Sequence, residues 1–196
     1  MLYVRDTPPP ARGVWYHAET VEEMSRLVGE VMEHLPDEDG SAQPKRYGRD
    51  AWFCFSDLRF EHPRNPGDEP DTLLRLAVNR STGFGALMWL VTRGRSSGAG
   101  DEVDDYLWIS DNPQPPEFDP RVIAEPGYVR FHSRRSAVPL ERVRVVLEEF
   151  CRVGTGARPE SISWVRGELN GQRSDEEPIV DWVEAPETNP WDEAVS

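Results

Sequence analysis

Carboxylates are the most abundant reactive groups in this chain, and they are densest at Asp101, Glu102, Asp104 and Asp105 in the run "GDEVDDYLWISDN". Two carboxylates facing each other across a cleft can divide acid and base work in hydrolysis, and oxygens alternating around a tight turn can hold calcium. Neither pattern is met. A calcium loop needs ligands at alternate positions and a glycine in the turn, and a crowded acidic run singles out no catalytic pair. His17, His34, His62 and His132 are scattered and Cys54 and Cys151 stand far apart, so no zinc-ligand spacing arises. Walker loop, dinucleotide fingerprint and H-E-x-x-H helix are all missing. The close glycines of "TGFGAL" and "VGTGARP" lack the strand-to-helix context that aims backbone donors at a phosphate, and they read as a hairpin turn and a helix stop. The expectation is a protein that is not an enzyme and needs no metal or cofactor.

The elements that would carry any such groups are easier to read. Thr20 and Glu23 have capping-box spacing, and Val21, Met24, Leu27, Val28, Val31, Met32 and Leu35 form one helical face behind a short strand at "VWYHA". "AWFCFSDLRF" reads as a strand. Leu74, Leu76 and Val78 alternate, "STGFG" turns the chain and "ALMWLVTR" returns it, which is an antiparallel hairpin. "YLWIS" is a further strand and "YVRFH" an edge strand. A second helix is expected from Pro139, suited to the first helical position because its missing donor costs nothing there. Its stripe is Leu140, Val143, Val146, Leu147, Phe150 and Cys151; Gly154 and Gly156 end it, and "SISWVR" alternates as a strand. Trp52, Trp89 and Trp164 sit in apolar strand patterns and are assigned to the core. The plan is α+β: a single domain, an antiparallel β-sheet packed by two main helices, with long Pro-rich loops.

Composition limits the partners. The 196 residues suffice for one domain, with 37% hydrophobic and 30% charged residues and seven Trp. Eighteen prolines cluster in "DTPPPARG", "EHPRNPGDEPD" and "DNPQPPEFDP", which are stiff loops. A formal net charge of −14 argues against direct binding to nucleic acid and favours a basic protein partner. The absence of a leader pattern or long apolar run leads us to expect a cytoplasmic protein with no membrane contact, and both cysteines to be free, small buried hydrophobes. After Arg173, "SDEEPIVDWVEAPETNPWDEAVS" holds eight acidic residues and no Lys or Arg, yet also Trp182 and Trp191. We therefore divide the chain into a domain at 1–172 and an acidic, Trp-containing tail at 173–196. Loops on a rigid scaffold carry most recognition. The expected partner-binding residues are Asp101, Glu102, Asp104, Asp105, Tyr106, Trp108 and Asp111 within the segment 96–118, and Trp182 and Trp191 in the tail.

The string "NRSTGFGALMW", followed by "AEPGYVRFHSRRSAVPLERVRVVLEEFCRVGTGARPESISW", resembles the Imm1 family of bacterial immunity proteins over about residues 13 to 170. The most specific part is the Pro-Leu helix start, the Glu-Glu-Phe face and the Arg-Pro…Trp ending. The resemblance implies a stoichiometric inhibitor in a polymorphic toxin system, binding a cognate toxin with a nucleic-acid deaminase domain, most directly a DNA cytosine deaminase, and occluding its active site or substrate cleft. The helix, glycine stop and Trp strand are then scaffold. Two other readings stay open: an acidic adaptor or nucleic-acid mimic for a different basic partner, and a small hydrolase using acidic residues. The oligomeric state is not readable.

Overall fold

The computed structural model describes residues 2–5, 15–35, 50–56, 70–91, 107–125 and 130–178. An antiparallel sheet organises them. It is built from β1 (Leu2–Arg5), β2 (Trp15–Ala18), β3 (Ala51–Phe55), β4 (Thr72–Asn79), β5 (Phe84–Val91), β6 (Leu107–Asp111) and β10 (Ser163–Gly167). The strand order is β10-β6-β5-β4-β3-β1-β2, and the short β9 (Val138–Pro139) pairs with the start of β5. Two further strands, β7 (Ile123–Glu125) and β8 (Arg130–Phe131), form a separate ribbon.

One face of the sheet is covered by α1 (Val21–His34) and α2 (Leu140–Val153). Their buried stripes, Met24, Leu27, Val28 and Met32 on one and Val143, Val146, Leu147 and Phe150 on the other, meet Leu74, Leu76, Leu87 and Trp89 in a single core. Apolar residues at helical spacing on the helices and at alternate positions on the strands make that contact the obvious way to remove both faces from water. α1 starts as expected: the Thr20 hydroxyl accepts from the Glu23 amide at 3.2 Å, and the Glu23 carboxylate accepts from the Thr20 amide at 3.1 Å. Bonds from the Glu19 and Thr20 amides hold the Glu23 carboxyl below its usual range. α2 starts differently. Pro139, expected at the first helical position, is instead the N-cap and pairs in β9, so the helix begins one residue later at Leu140, whose amide donates to the Gly83 carbonyl of the β4–β5 turn at 3.0 Å. Gly154 ends α2 in the left-handed region at φ 69°, which a residue without Cβ adopts cheaply.

The other face of the sheet is also buried. Ala77 and Ala86 pack with Val122 and Ala137 under the segment carrying β7, and small residues there let a second layer approach closely. That layer explains why Arg75 is buried rather than facing water. Of the three core tryptophans expected, Trp89 is buried, whereas Trp52 and Trp164 are half-buried. Trp52 sits beneath the Arg75 guanidinium, 5.4 Å from the ring centre, because it occupies the second face. Neither Cys54 nor Cys151 is in a disulfide; Cys54 is buried, and Cys151, half-buried near the end of α2, has its thiol pushed up to about 12 by burial. No helix among the described residues is long and apolar enough to cross a membrane.

Candidate interaction surface

β6 connects two exposed features. Its first half carries Trp108, and its last residue, Asp111, leads into the loop Asn112–Arg121. Along the segment from α2 to β10 lies an open groove of about 550 Å³, lined among others by Trp89, Arg158, Pro159, Glu160 and Trp164. The Arg158 guanidinium lies 4.0 Å above the Trp108 ring, and Arg166 approaches the same ring at 5.6 Å. Burial pushes the Arg158 guanidinium down from its ordinary value. The segment after α2 is fixed by its backbone and by its neighbours. The Gly156 carbonyl accepts from the Trp89 indole at 3.0 Å and from the Thr72 hydroxyl at 2.8 Å, and the Pro159 carbonyl accepts from the Trp164 indole at 2.7 Å. Glu149 on α2 accepts from the amides of Glu160 and Ser161 at 2.8 and 2.9 Å. Burial pushes its carboxyl up, and the bonds from Ser161 and Glu160 more than reverse that.

The loop Asn112–Arg121 contains four prolines and is braced at both ends. At its start the Asn112 side chain accepts from the Gln114 amide at 3.0 Å and donates to the Ala137 carbonyl at 2.7 Å. At its end the buried Asn79 donates to the carbonyls of Pro120 and Arg121 at 3.1 and 3.2 Å, and the Thr82 hydroxyl donates to Pro120 at 3.0 Å. Arg121 stands at φ +48°, a conformation that costs a non-glycine residue energy and persists only where its surroundings fix it. The Asp119 carboxylate accepts from its amide at 2.9 Å, and its guanidinium lies over the Phe131 ring at 4.7 Å. Between the braces Phe118 is 52% exposed, its ring edge-on to Phe84 at 5.7 Å.

Acid-base residue types do meet elsewhere, inside the second layer. Asp50 and Arg75 form a buried ion pair, and Arg75 also donates to the Leu169 carbonyl at 3.3 Å. His132 is buried beside them. Burial, with the nearby Arg75 charge, pushes it down to about 3, so it is neutral at pH 7. All three side chains are at most 4% exposed, out of reach of a substrate. Among the described residues no group of three His, Cys, Asp or Glu could hold a metal. The string Gly94-Arg95-Ser96-Ser97-Gly98 has the spacing of a nucleophile elbow and lies outside the described residues.

The residues expected to bind a partner divide unevenly. Asp101, Glu102, Asp104, Asp105 and Tyr106, and with them Trp182 and Trp191, lie outside the described residues. Trp108 is half-buried under Arg158. Asp111 is committed to an ion pair with Arg173 at 2.6 Å. Arg173 itself, the residue at the expected start of the tail, is buried against the body; burial lowers its affinity for the proton, and bonds to Asp175 and Asp111 more than restore it. Phe118 was within the segment expected to recognise a partner but not among the residues singled out. The signal was present: an aromatic between Glu117 and Asp119 in a run of prolines has nowhere to be buried by its neighbours.

The family model described as Immunity protein Imm1 matches residues 16–166. No curated protein and no solved structure matches the chain.

Proposed function

The chain belongs to the Imm1 family of immunity proteins, and on that premise we propose that it binds a cognate bacterial toxin one-to-one and inhibits it by covering the cleft that admits the substrate. The observation that carries this reading is the family match, which spans 151 consecutive positions from β2 to β10 and so includes the whole sheet-and-helix scaffold except β1. Immunity proteins of this family generally act by binding rather than by catalysis.

The toxin we propose is a nucleic-acid deaminase, with DNA cytosine as the first substrate to test. Such an enzyme must attract a polyanion and must accept a base drawn out of its stack into a pocket. A chain of net charge −14 is attracted by the same field. We propose that the contacts come from the acidic run Asp101, Glu102, Asp104 and Asp105, from Tyr106, Trp108 and Asp111, and from Trp182 and Trp191. The protein is expected to work in the cytoplasm, where a toxin acting on nucleic acid must be met.

The test is a titration of the purified toxin domain encoded beside this gene, read as deamination of a single-stranded DNA oligonucleotide. Full inhibition at a one-to-one ratio, with a stable complex on gel filtration, is the expected outcome. Undiminished turnover in excess protein, with no complex formed, would remove the deaminase as partner.

A further inference from the structure

A nucleotide within a single strand is a flat aromatic ring with negative charge on either side of it along the chain. The loop after β6 presents the same arrangement in protein form: Glu117, Phe118 and Asp119 are consecutive and exposed. Phe118 contributes the ring, and the carboxylates on either side belong to residues whose Cα atoms lie up to about 7 Å apart. Phe118 cannot turn inward, because the prolines at 113, 115, 116 and 120 stiffen the loop and Asn79, Thr82, Asn112 and Arg121 fix its two ends. The Arg134 guanidinium holds the Glu117 carbonyl at 3.4 Å, which adds a third brace beside the ring. A half-exposed aromatic on a loop held by this many bonds loses little conformational freedom on binding, which is the property of an interface anchor.

We propose that this loop is the inhibitory element, and that Phe118 enters the toxin pocket that otherwise receives an unstacked base, while Glu117 and Asp119 meet the cationic groups that hold the flanking phosphates. The inference rests on the reading of the partner as a nucleic-acid-modifying toxin and adds to it the residue that does the blocking. The left-handed conformation at Arg121 has a place in it: backbone strain there sets the direction in which the chain leaves Asp119. The occupant of the surface is thus a basic protein cleft with an aromatic-accepting pocket.

The experiment measures inhibition of the toxin domain encoded beside this gene on a single-stranded oligonucleotide by wild type, Phe118→Ala and Glu117→Gln, with complex formation by gel filtration and urea unfolding of each variant. Phe118→Ala is expected to raise the inhibition constant at least about 30-fold with its unfolding midpoint nearly unchanged, as for an anchor residue. Glu117→Gln should raise it several-fold, mostly through slower association. Inhibition by the wild type should weaken as oligonucleotide concentration rises, because both compete for one pocket. If the wild type does not inhibit at all, the reading of the partner fails first. If the wild type inhibits and Phe118→Ala does so equally well, or inhibition is independent of oligonucleotide concentration, the proposal for Phe118 is overturned and the functional reading stands. A concentration-dependent dimer of the wild type that Phe118→Ala abolishes would likewise overturn it, by making a second copy of this chain the occupant.

Discussion

At the scale of single residues, the second layer of the protein concentrates groups that elsewhere would face water. Arg75 is tolerated because Asp50 neutralises it and the Leu169 carbonyl accepts from it; an unpaired guanidinium at that depth would cost several times what the pair contributes. His132 has no such counter-charge, and its proton would lie beside Arg75 in a dry environment. It therefore folds neutral. Its folded pKa of about 3 lies below the ordinary 6.5, so the unfolded chain binds a proton more readily than the folded one throughout that interval. Stability from this group is complete above pH 6.5 and is lost progressively as pH falls toward 3. Between pH 6.5 and 5, where few carboxylates titrate, the loss should reach about 2 kcal/mol. Urea unfolding at half-unit pH steps should show that slope in the wild type and lose it in His132→Gln; equal slopes in both would mean that His132 is hydrated enough to hold its proton in the folded state.

At the scale of elements, the segment after α2 answers what a glycine-rich stop is for. Gly154 and Gly156 both lie at positive φ, but their surroundings differ. A Cβ at Gly154 would meet nothing closer than the Cys151 carbonyl at 3.8 Å, whereas a Cβ at Gly156 would run into the Thr72 hydroxyl that donates to the Gly156 carbonyl. Gly154→Ala should thus cost about 1 kcal/mol in backbone strain alone. Gly156→Ala should cost that plus the displacement of Thr72 and of the Trp89 indole bond, about 2–4 kcal/mol in all. Urea midpoints rank the two, and Trp fluorescence should shift in the second only; equal costs would show that Thr72 moves aside freely. Much of this was legible beforehand. The capping box of α1, the stripes of both helices, the β4–β5 hairpin and the strands at β3, β6 and β10 follow from periodicity and turn chemistry, because each makes its contacts on one face at a fixed spacing. β1, β7 and β9 were not read. They are two to four residues long, too short for a period to show, and the pairing of β1 and β9 is decided by distant partners such as Phe53 and Gly85. The burial of Arg75 was hidden for a related reason: alternation along β4 predicts one wet face, and only tertiary contacts, with β7 along the strand and with Asp50 and Leu169 at Arg75 itself, cover it.

At the scale of the whole molecule, charge is the property most readable from sequence and least attached to any one residue. Three positive side chains are drawn inward or onto rings, Arg75 and Arg173 being buried and Arg158 lying on Trp108, while others such as Arg26 and Arg144 stay exposed. The surplus carboxylates set the long-range field. Such a field acts on encounter more than on the finished contact, since its reach is about 10 Å at 0.1 M salt and about 3 Å at 1 M. A deaminase domain built to collect DNA would feel it before any aromatic had found its pocket. The association rate constant with the toxin domain should accordingly fall at least about tenfold between 50 and 500 mM salt, while dissociation, governed by the anchored ring and its neighbours, changes much less. Stopped-flow mixing over that range separates the two rates. A flat association rate would assign the charge to solubility alone and leave recognition to shape, whereas a steep dissociation rate would place charged pairs, and not Phe118, at the centre of the interface.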